Sequence, residues 1–423
     1  MPVQGLRPRL SRGLSDYAAC IRMFSPNVRL RLLAVVLNGT AQGVFAVSFN
    51  LYILSMGIPA NVLGTILGAA PLAQALGSIP IGFVAELIGH RATFLIVYSL
   101  AGMSYLLRVW NDSVPLILMA SFLGGLALAG DFVVGLPYIL GNTSEKERTY
   151  AFSISTLLFS LSMSFGALIG GFGPTFMRHL APSLTAGYRY TLALASMLIL
   201  LALVPVSRIT AQPRTTRQKI SLLPYLWGMD RFTQRVAVVE LFLGLWMGLT
   251  IPFLNVYFVY RLQASRQFYG TISALNLIPS LIGTALGPAL AIRVGTLRSI
   301  TVTRLLLALC MVLMGLAFTP LIGALGLWTY QGLFMLSQPI WFAYAMATAS
   351  LRAKAAVAAW INLTYWLGNA IAAPVTGWLF SRSRYTIPFY LSATAILFAA
   401  WLTNRSGSPS LTSGNKENPY HAD

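Results

Sequence analysis

Charge is scarce in this chain: 9% of its 423 residues are Asp, Glu, Lys or Arg, and ten of them are acids. Soluble domains carry roughly a quarter charged residues. So small a set cannot cover several globular domains with polar groups, and most of the surface must face lipid. This excludes a soluble enzyme. Cysteine is nearly absent: Cys20 sits in a basic N-terminal segment and Cys310 inside an apolar run, so there is no disulfide framework and no Cys/His zinc spacing. The three histidines, His90, His179 and His421, stand in separate polar places with no nucleophile paired to a base. No phosphate-cradling glycine loop is present, which disfavours an ATP-driven pump. Neither enzyme activity, metal nor cofactor is expected. Residues 1–31 hold six arginines and lack the apolar core of a cleavable signal, so the first apolar run reads as a retained helix.

What the chain has in abundance is apolar length: 57% of its residues are hydrophobic, and the mean hydropathy is +0.71. About 20 apolar residues cross a bilayer core. That ruler gives twelve spans, near 32–54, 62–86, 92–109, 114–141, 150–175, 186–207, 236–260, 267–292, 299–319, 321–349, 355–380 and 386–403. The run from 299 to 349 is nearly continuous, so its cut near Pro320 is open to a different placement. The expected fold class is an all-α multi-pass membrane protein with twelve transmembrane helices in two parallel-repeat six-helix bundles.

The formal charge of +19 follows the loops. With the N-terminus inside, inside segments hold 22 cations and outside segments seven, including Arg108, which places both termini in the cytoplasm. A basic face on anionic headgroups accounts for the charge without nucleic acid. The division expected is a basic segment 1–31, a bundle 32–207, a cytoplasmic linker 208–235 with a surface helix around Leu222 to Trp227, a bundle 236–403 and a disordered tail 404–423. The protein is expected to act as a monomer in the cell membrane.

The two halves repeat. Asn50-Leu51-Tyr52 returns as Asn255-Val256-Tyr257, Gly64 as Gly270, Gly82 as Gly287 and Gly89 as Gly295, all at offsets of 205 or 206. Pro137 returns as Pro339 and Gly166 as Gly368, both at 202. Six is even, so the copies share one orientation, related by an axis along the membrane normal. Secondary transporters are commonly built this way, with the site at the midplane between repeats.

Between the second and third spans stands Gly82-Phe83-Val84-Ala85-Glu86-Leu87-Ile88-Gly89-His90-Arg91. It resembles the loop motif of the major facilitator superfamily, with Glu86 for the usual Asp, Leu87 where a basic residue is common and His90 for another. A partial echo, Ala291 to Arg298 with Arg293 and Gly295, lacks the acid. The resemblance implies the twelve-helix transporter fold and a cytoplasmic gate at Gly82, Glu86, Gly89, Arg91, Arg293 and Gly295. Gly82 and Gly89 allow close backbone approach. Glu86 can pair with Arg91 or with a helix N-terminus of the other half. Alternatively, Glu86 and Arg91 flank a tight turn. The run Ser164 to Pro174 looks like the glycine-proline motif of the superfamily's antiporters, although Pro174 follows the paired glycines; ordinary helix packing explains it equally well.

Acids at mid-depth are functional candidates because a buried charge is costly there. Asp131 in the fourth span is the clean case, as a proton-coupling or cation-binding carboxylate or as a structural acid paired with an arginine such as Arg108. Glu240 reads as close enough to the cytoplasmic end to snorkel, and Arg304 as an interfacial anchor. Uncharged candidates for a central cavity are Asn50, Tyr52, Asn255, Tyr257, Gln338, Trp341, Asn362, Tyr365, Trp366 and Asn369, each of which can instead serve helix packing. Amides can orient a substrate and rings can hold its apolar body. The expected function is alternating-access transport of a small organic molecule, with proton-coupled efflux of an amphipathic or cationic compound favoured. Proton-coupled uptake, passive facilitation and a non-transporting membrane sensor stand as alternatives. Protons and membrane lipids are the expected partners.

Overall fold

The computed structural model describes residues 24–210, 229–350 and 353–405. The calls on residues 1–23, on Leu222 to Trp227 and on the tail from 406 lie outside the described residues. Twelve spans follow in order: α1 Pro26–Ser55, α2 Ala60–Ile88, α3 His90–Trp110, α4 Val114–Gly141, α5 Glu145–Met177 and α6 Leu184–Leu201 with its short continuation Leu203–Ser207. After the linker come α7 Arg231–Thr250, α8 in two segments Arg266–Leu275 and Leu277–Val294, α9 Thr296–Gly315, α10 Pro320–Thr348, α11 Lys354–Ser381 and α12 Ile387–Arg405. In lipid every backbone group must bond within its own segment, which is why apolar runs of this length become helices.

Ten of these helices are long and apolar enough to cross a membrane. α10 and α11 are also long, at 29 and 28 residues, but amides and Trp and Tyr rings dilute their apolar character. Helix starts follow local chemistry. Pro26 and Pro320 stand in first turns behind Ser25 and Thr319, whose hydroxyls accept the Val28 and Ile322 amides. Asp230 caps α7 by accepting from Thr233 N at 2.7 Å. The cut near Pro320 therefore falls just before the proline. α1 begins at Pro26, six residues earlier than expected, and draws Arg31 into the helix. The expected continuous span 236–260 is regular only to Thr250; from Ile251 it runs through 3₁₀ and π turns to Arg261.

Phe24 and Arg405 mark what we call the terminal end: Asn27 Nδ2 donates to Thr210 Oγ1 at 2.8 Å, and Arg235 reaches the Arg405 carbonyl. The repeat seen in sequence is a repeat of contacts. Tyr52 donates to the Val109 carbonyl at 2.7 Å, and its mate Tyr257 donates to the Met314 carbonyl at 2.6 Å. Gly89 and Gly295, with φ of +85° and +92°, turn the chain out of α2 and α8, and each amide bonds back four residues.

The halves meet on two mated helix pairs, α2 against α11 and α5 against α8. In the first, a Cβ on Gly64 would lie 2.9 Å from Gly377 Cα; in the second, a Cβ on Gly171 would lie 2.8 Å from Gly270 Cα. Gly171 and Gly377 are 206 residues apart, as are Gly64 and Gly270. One glycine-on-glycine contact is thus made twice, toward the distal end. Small residues allow such approach in lipid, where helix association depends on packing rather than water exclusion.

Candidate functional site

Asn50 and Asn255, the symmetric amides, meet each other. Asn50 Nδ2 donates to Asn255 Oδ1 at 2.9 Å and also to the Pro252 carbonyl, while Asn255 Nδ2 donates to the Val47 carbonyl at 3.0 Å. Both are at least 95% buried. They tie α1 to the irregular end of α7 at the distal end, joined there by Gln267 donating to Thr175 Oγ1 at 2.8 Å. In this conformation they do not line open space. Tyr52 and Tyr257 are fully buried inside their own halves as interhelical ties.

Toward the terminal end, the motif residues are apart. Glu86 is exposed and has no ion pair or hydrogen bond among the described residues. Arg91 donates to the Ser207 carbonyl at 2.8 Å, within its own half. Arg293 is exposed, and Gly82 faces only Val133.

Three arginines are buried inside the spans, and each is handled differently. Arg31 of α1 pairs with Asp131 of α4 at 2.8 Å, donates to Tyr98 of α3 and lies over the Phe94 ring at 4.8 Å. Asn38 adds a contact to Asp131 at 3.5 Å, the long limit of a hydrogen bond. The partner of Asp131 is therefore Arg31, not Arg108. At 1.5 Å per residue, Asp131 lies about 15 Å from the terminal end of α4, on that side of the middle.

The second half holds a different network at similar depth. Glu240 and Arg304 are each 1% exposed, which corrects the reading of the first as a snorkelling group and of the second as an interfacial anchor. Trp341 Nε1 donates to Glu240 Oε1 at 2.5 Å. The Arg304 guanidinium lies over the same indole at 4.6 Å and donates to Thr403 and to the Ala399 carbonyl. Trp341 thus separates an acid on α7 from a base on α9. The first half has its acid on α4 and its base on α1, so the repeat does not extend to the charges.

Arg108 of α3 is the third. It is 8% exposed and enclosed by the rings of Tyr105, Phe49 and Phe45 at 3.9, 5.4 and 5.5 Å. No carboxylate pairs with it among the described residues.

The other amides lie in α10 and α11. Gln338 Oε1 and Asn369 Oδ1 are enclosed without a partner, while Asn362 bonds to the Ala358 carbonyl of its own helix at 3.0 Å. The Tyr365 and Trp366 rings meet edge to face at 5.2 Å. The structure therefore brings Trp341 to Glu240, Asn50 to Asn255 and Tyr365 to Trp366, but it does not gather all the candidates around one centre. Two hollows lie elsewhere. One of about 290 Å³ is at the distal end between Ile58, Pro59, Tyr260 and Tyr385. An apolar one of about 440 Å³ lies among Val44, Ile169, Met177 and Leu198. Sequence reasoning missed Arg31, Tyr98 and the aromatic box of Arg108. The only sequence signal for the box was an arginine inside an aromatic run, because its rings come from two helices.

Comparison with known proteins places this architecture. Residues 31–229 and 236–420 match the family model of the Major Facilitator Superfamily. An uncharacterized MFS-type transporter, YfkF of Bacillus subtilis strain 168, is 23% identical over 180 residues, 43% of this chain and 43% of that protein. The match thus spans less than half of that relative's length. Among solved structures, a point mutant of the nucleoside transporter NupG superposes with a TM-score of 0.76 at 11% identity, covering 91% of this chain and all of that one. A bacterial homolog of the human lysosomal transporter Spinster gives 0.73 at 14%, covering 91% and 100%. A D-xylose-proton symporter gives 0.67 at 18%, covering 89% and 96%. At such identities the likeness is one of fold.

Proposed function

This chain belongs to the Major Facilitator Superfamily as a membrane transporter of that type, and from that premise we propose that it exports a small amphipathic molecule by proton-coupled alternating access. The observation that carries the proposal is the asymmetry of the contacts between halves. The distal end is closed by two mated glycine pairs and the Asn50 to Asn255 bond, while Glu86 at the terminal end is disengaged. That is one half of an alternating-access cycle. With the termini in the cytoplasm of the cell membrane, as the loop cations favour, the site here faces inward.

Asp131 and Glu240 supply carboxylates within the spans, one ion-paired and one hydrogen-bonded to an indole N–H, and these are the coupling candidates. The glycine-dense α5 supports the outward direction. The charges enclosed within the spans, Arg31, Arg108 and Arg304 against Asp131 and Glu240, sum to one positive. This favours an amphipathic cargo over a cationic one.

The test is accumulation of fluorescent amphiphiles in everted vesicles under an imposed proton gradient, with wild type, Asp131→Asn and Glu240→Gln. Gradient-driven uptake lost in at least one variant supports the reading. Uptake indifferent to the gradient in wild type tells against coupling, and uptake only in right-side-out vesicles tells against export.

A further inference from the structure

α5 meets the other half of the molecule on one face and a hollow on the opposite one. Gly171 lies against Gly270 of α8, where the halves close distally. At roughly 100° per residue, Ile169 and Gly173 stand about 160° around the helix from Gly171. Both line the apolar hollow of about 440 Å³, which therefore lies behind the closing contact. Toward the terminal end α5 is gripped by α1, since a Cβ on Gly166 would lie 2.0 Å from the Thr40 carbonyl oxygen and one on Gly43 would lie 2.2 Å from that of Met163.

The walls of the hollow decide what fits it. α6 supplies the longest wall, from Thr191 to Leu201, about 15 Å along the helix. Val44 of α1 and Ala195 of α6, each 1% exposed, form the floor. Thr191 has the only polar side chain among the described residues that line it, and that hydroxyl donates to the Gly187 carbonyl of its own helix at 2.8 Å. Water needs two to four polar partners, and these side chains offer it none. At the rim, Leu194, Met197 and Leu201 are 52, 56 and 51% exposed. They share one apolar face of α6 within the span, so the hollow opens sideways onto hydrocarbon. An elongated apolar slot open to lipid admits an alkyl chain, whose methylenes gain dispersion contacts on each wall.

We propose that this hollow holds one acyl chain of a membrane lipid, and that the chain backs α5 against α8 and keeps the distal end closed. With the space behind it filled, the distal part of α5 has no room to yield, and Gly171 stays on Gly270. The site needs only membrane insertion and the closing contact, so it stands apart from the export reading.

The test uses the full chain in nanodiscs of dioleoylphosphatidylcholine doped with a phosphatidylcholine that carries a diazirine midway along one acyl chain. Surrounding lipid reaches the rim alone. Irradiation and peptide mapping are expected to place label on the rim and also on Val44 and Ala195. Ala195→Phe, whose ring enters the hollow, is expected to cut the label on Val44 at least fivefold and to leave that on Met197. Should that variant fail to fold, Leu198→Phe, half-buried on the same wall, takes its place. The second readout is the distance between spin labels at Asn61 and Arg382, exposed in opposite halves at the distal end. Replacing the bulk lipid by diphytanoylphosphatidylcholine, whose methyl branches thicken the chain, is expected to raise the long-distance population at least threefold in wild type and to leave Ala195→Phe unmoved. Label confined to the rim overturns the site. Label on Val44 with the same distances in both lipids overturns the closing role. Label on Val44 that a fluorescent amphiphile displaces makes the hollow a lateral entry for cargo and overturns the lipid assignment. A protein that takes the floor label yet moves no amphiphile refutes export and leaves the site standing.

Discussion

Gly171→Ala tests the distal closure directly. The added Cβ would sit 2.8 Å from Gly270 Cα and 3.0 Å from the Arg266 carbonyl oxygen, where ordinary contact begins at 3.4 Å. Both obstacles are backbone, so no side chain can swing aside, and α5 and α8 must part by roughly 0.6–1 Å. Overpacking of this kind costs about 1–3 kcal/mol. The cost falls only on states in which these helices touch at this end, so it appears as a population shift of about 5- to 150-fold toward distal opening, at tenfold per 1.4 kcal/mol. Gly377→Ala, at the mated position on α11, should act alike, since its Cβ would meet Gly64 Cα at 2.7 Å and the Ala60 carbonyl at 2.4 Å. The assay is pulsed electron resonance between spin labels at Asn61 and Arg382, both exposed at the distal end, with Cys20→Ser and Cys310→Ala as background. Wild type should give a short distance, and each variant should add a longer population. A folded Gly171→Ala protein with an unchanged distribution would refute the idea that this contact holds the end shut.

Two further predictions concern the buried charges. Asp131→Asn leaves Arg31 without its counter-charge and should lower stability by about 3 kcal/mol, the lower part of the range for breaking a buried pair, because Asp131 keeps 20% exposure; the double variant with Arg31→Gln should recover most of the loss in thermal unfolding, and purely additive losses would mean the pair is not coupled. Trp341→Phe removes the N–H given to Glu240 and should destabilise by about 1–3 kcal/mol, so unfolding at the wild-type temperature would show that Glu240 is satisfied by other means.

The fold was legible because its signals are local and repeated. Apolar length, the proline and glycine punctuation at Pro320, Gly89 and Gly295, and the offset near 205 each need only neighbouring residues or a comparison of the halves. The site was less legible because its partners are remote in sequence. Arg31 counted as a loop cation until Asp131, a hundred residues on, drew it into the membrane. Glu240 stood near enough to a helix start to imply snorkelling, and only Trp341, 101 residues away, shows that it is sealed. Asn50 and Asn255 were recognisable as mates. A repeat axis, however, brings mates together only where they sit on it, and their sequence distances from the helix ends do not say whether they do.

The terminal end is where the repeat is unequal, and this predicts an asymmetric gate. The first half carries Glu86 between Gly82 and Gly89, while the second has Arg293 and Arg298 around Gly295 and no acid. Distal closure therefore draws on two equivalent glycine contacts, whereas a latch built from the two motif loops can take its acid only from Glu86. Glu86 is exposed and unpaired in the present state, so Glu86→Gln should leave the stability of this state unchanged and remove about 1 kcal/mol from the state in which the acid meets a cation or a helix N-terminus. The same spin-label pair should then show about a fivefold gain of the short distance over the long one, opposite in sign to Gly171→Ala, and in the Gly171→Ala background it should offset about fivefold of that variant's shift. A Glu86→Gln chain with the wild-type ratio, in a background where both distances are populated, would mean that the motif turns the chain between α2 and α3 and does not latch the halves.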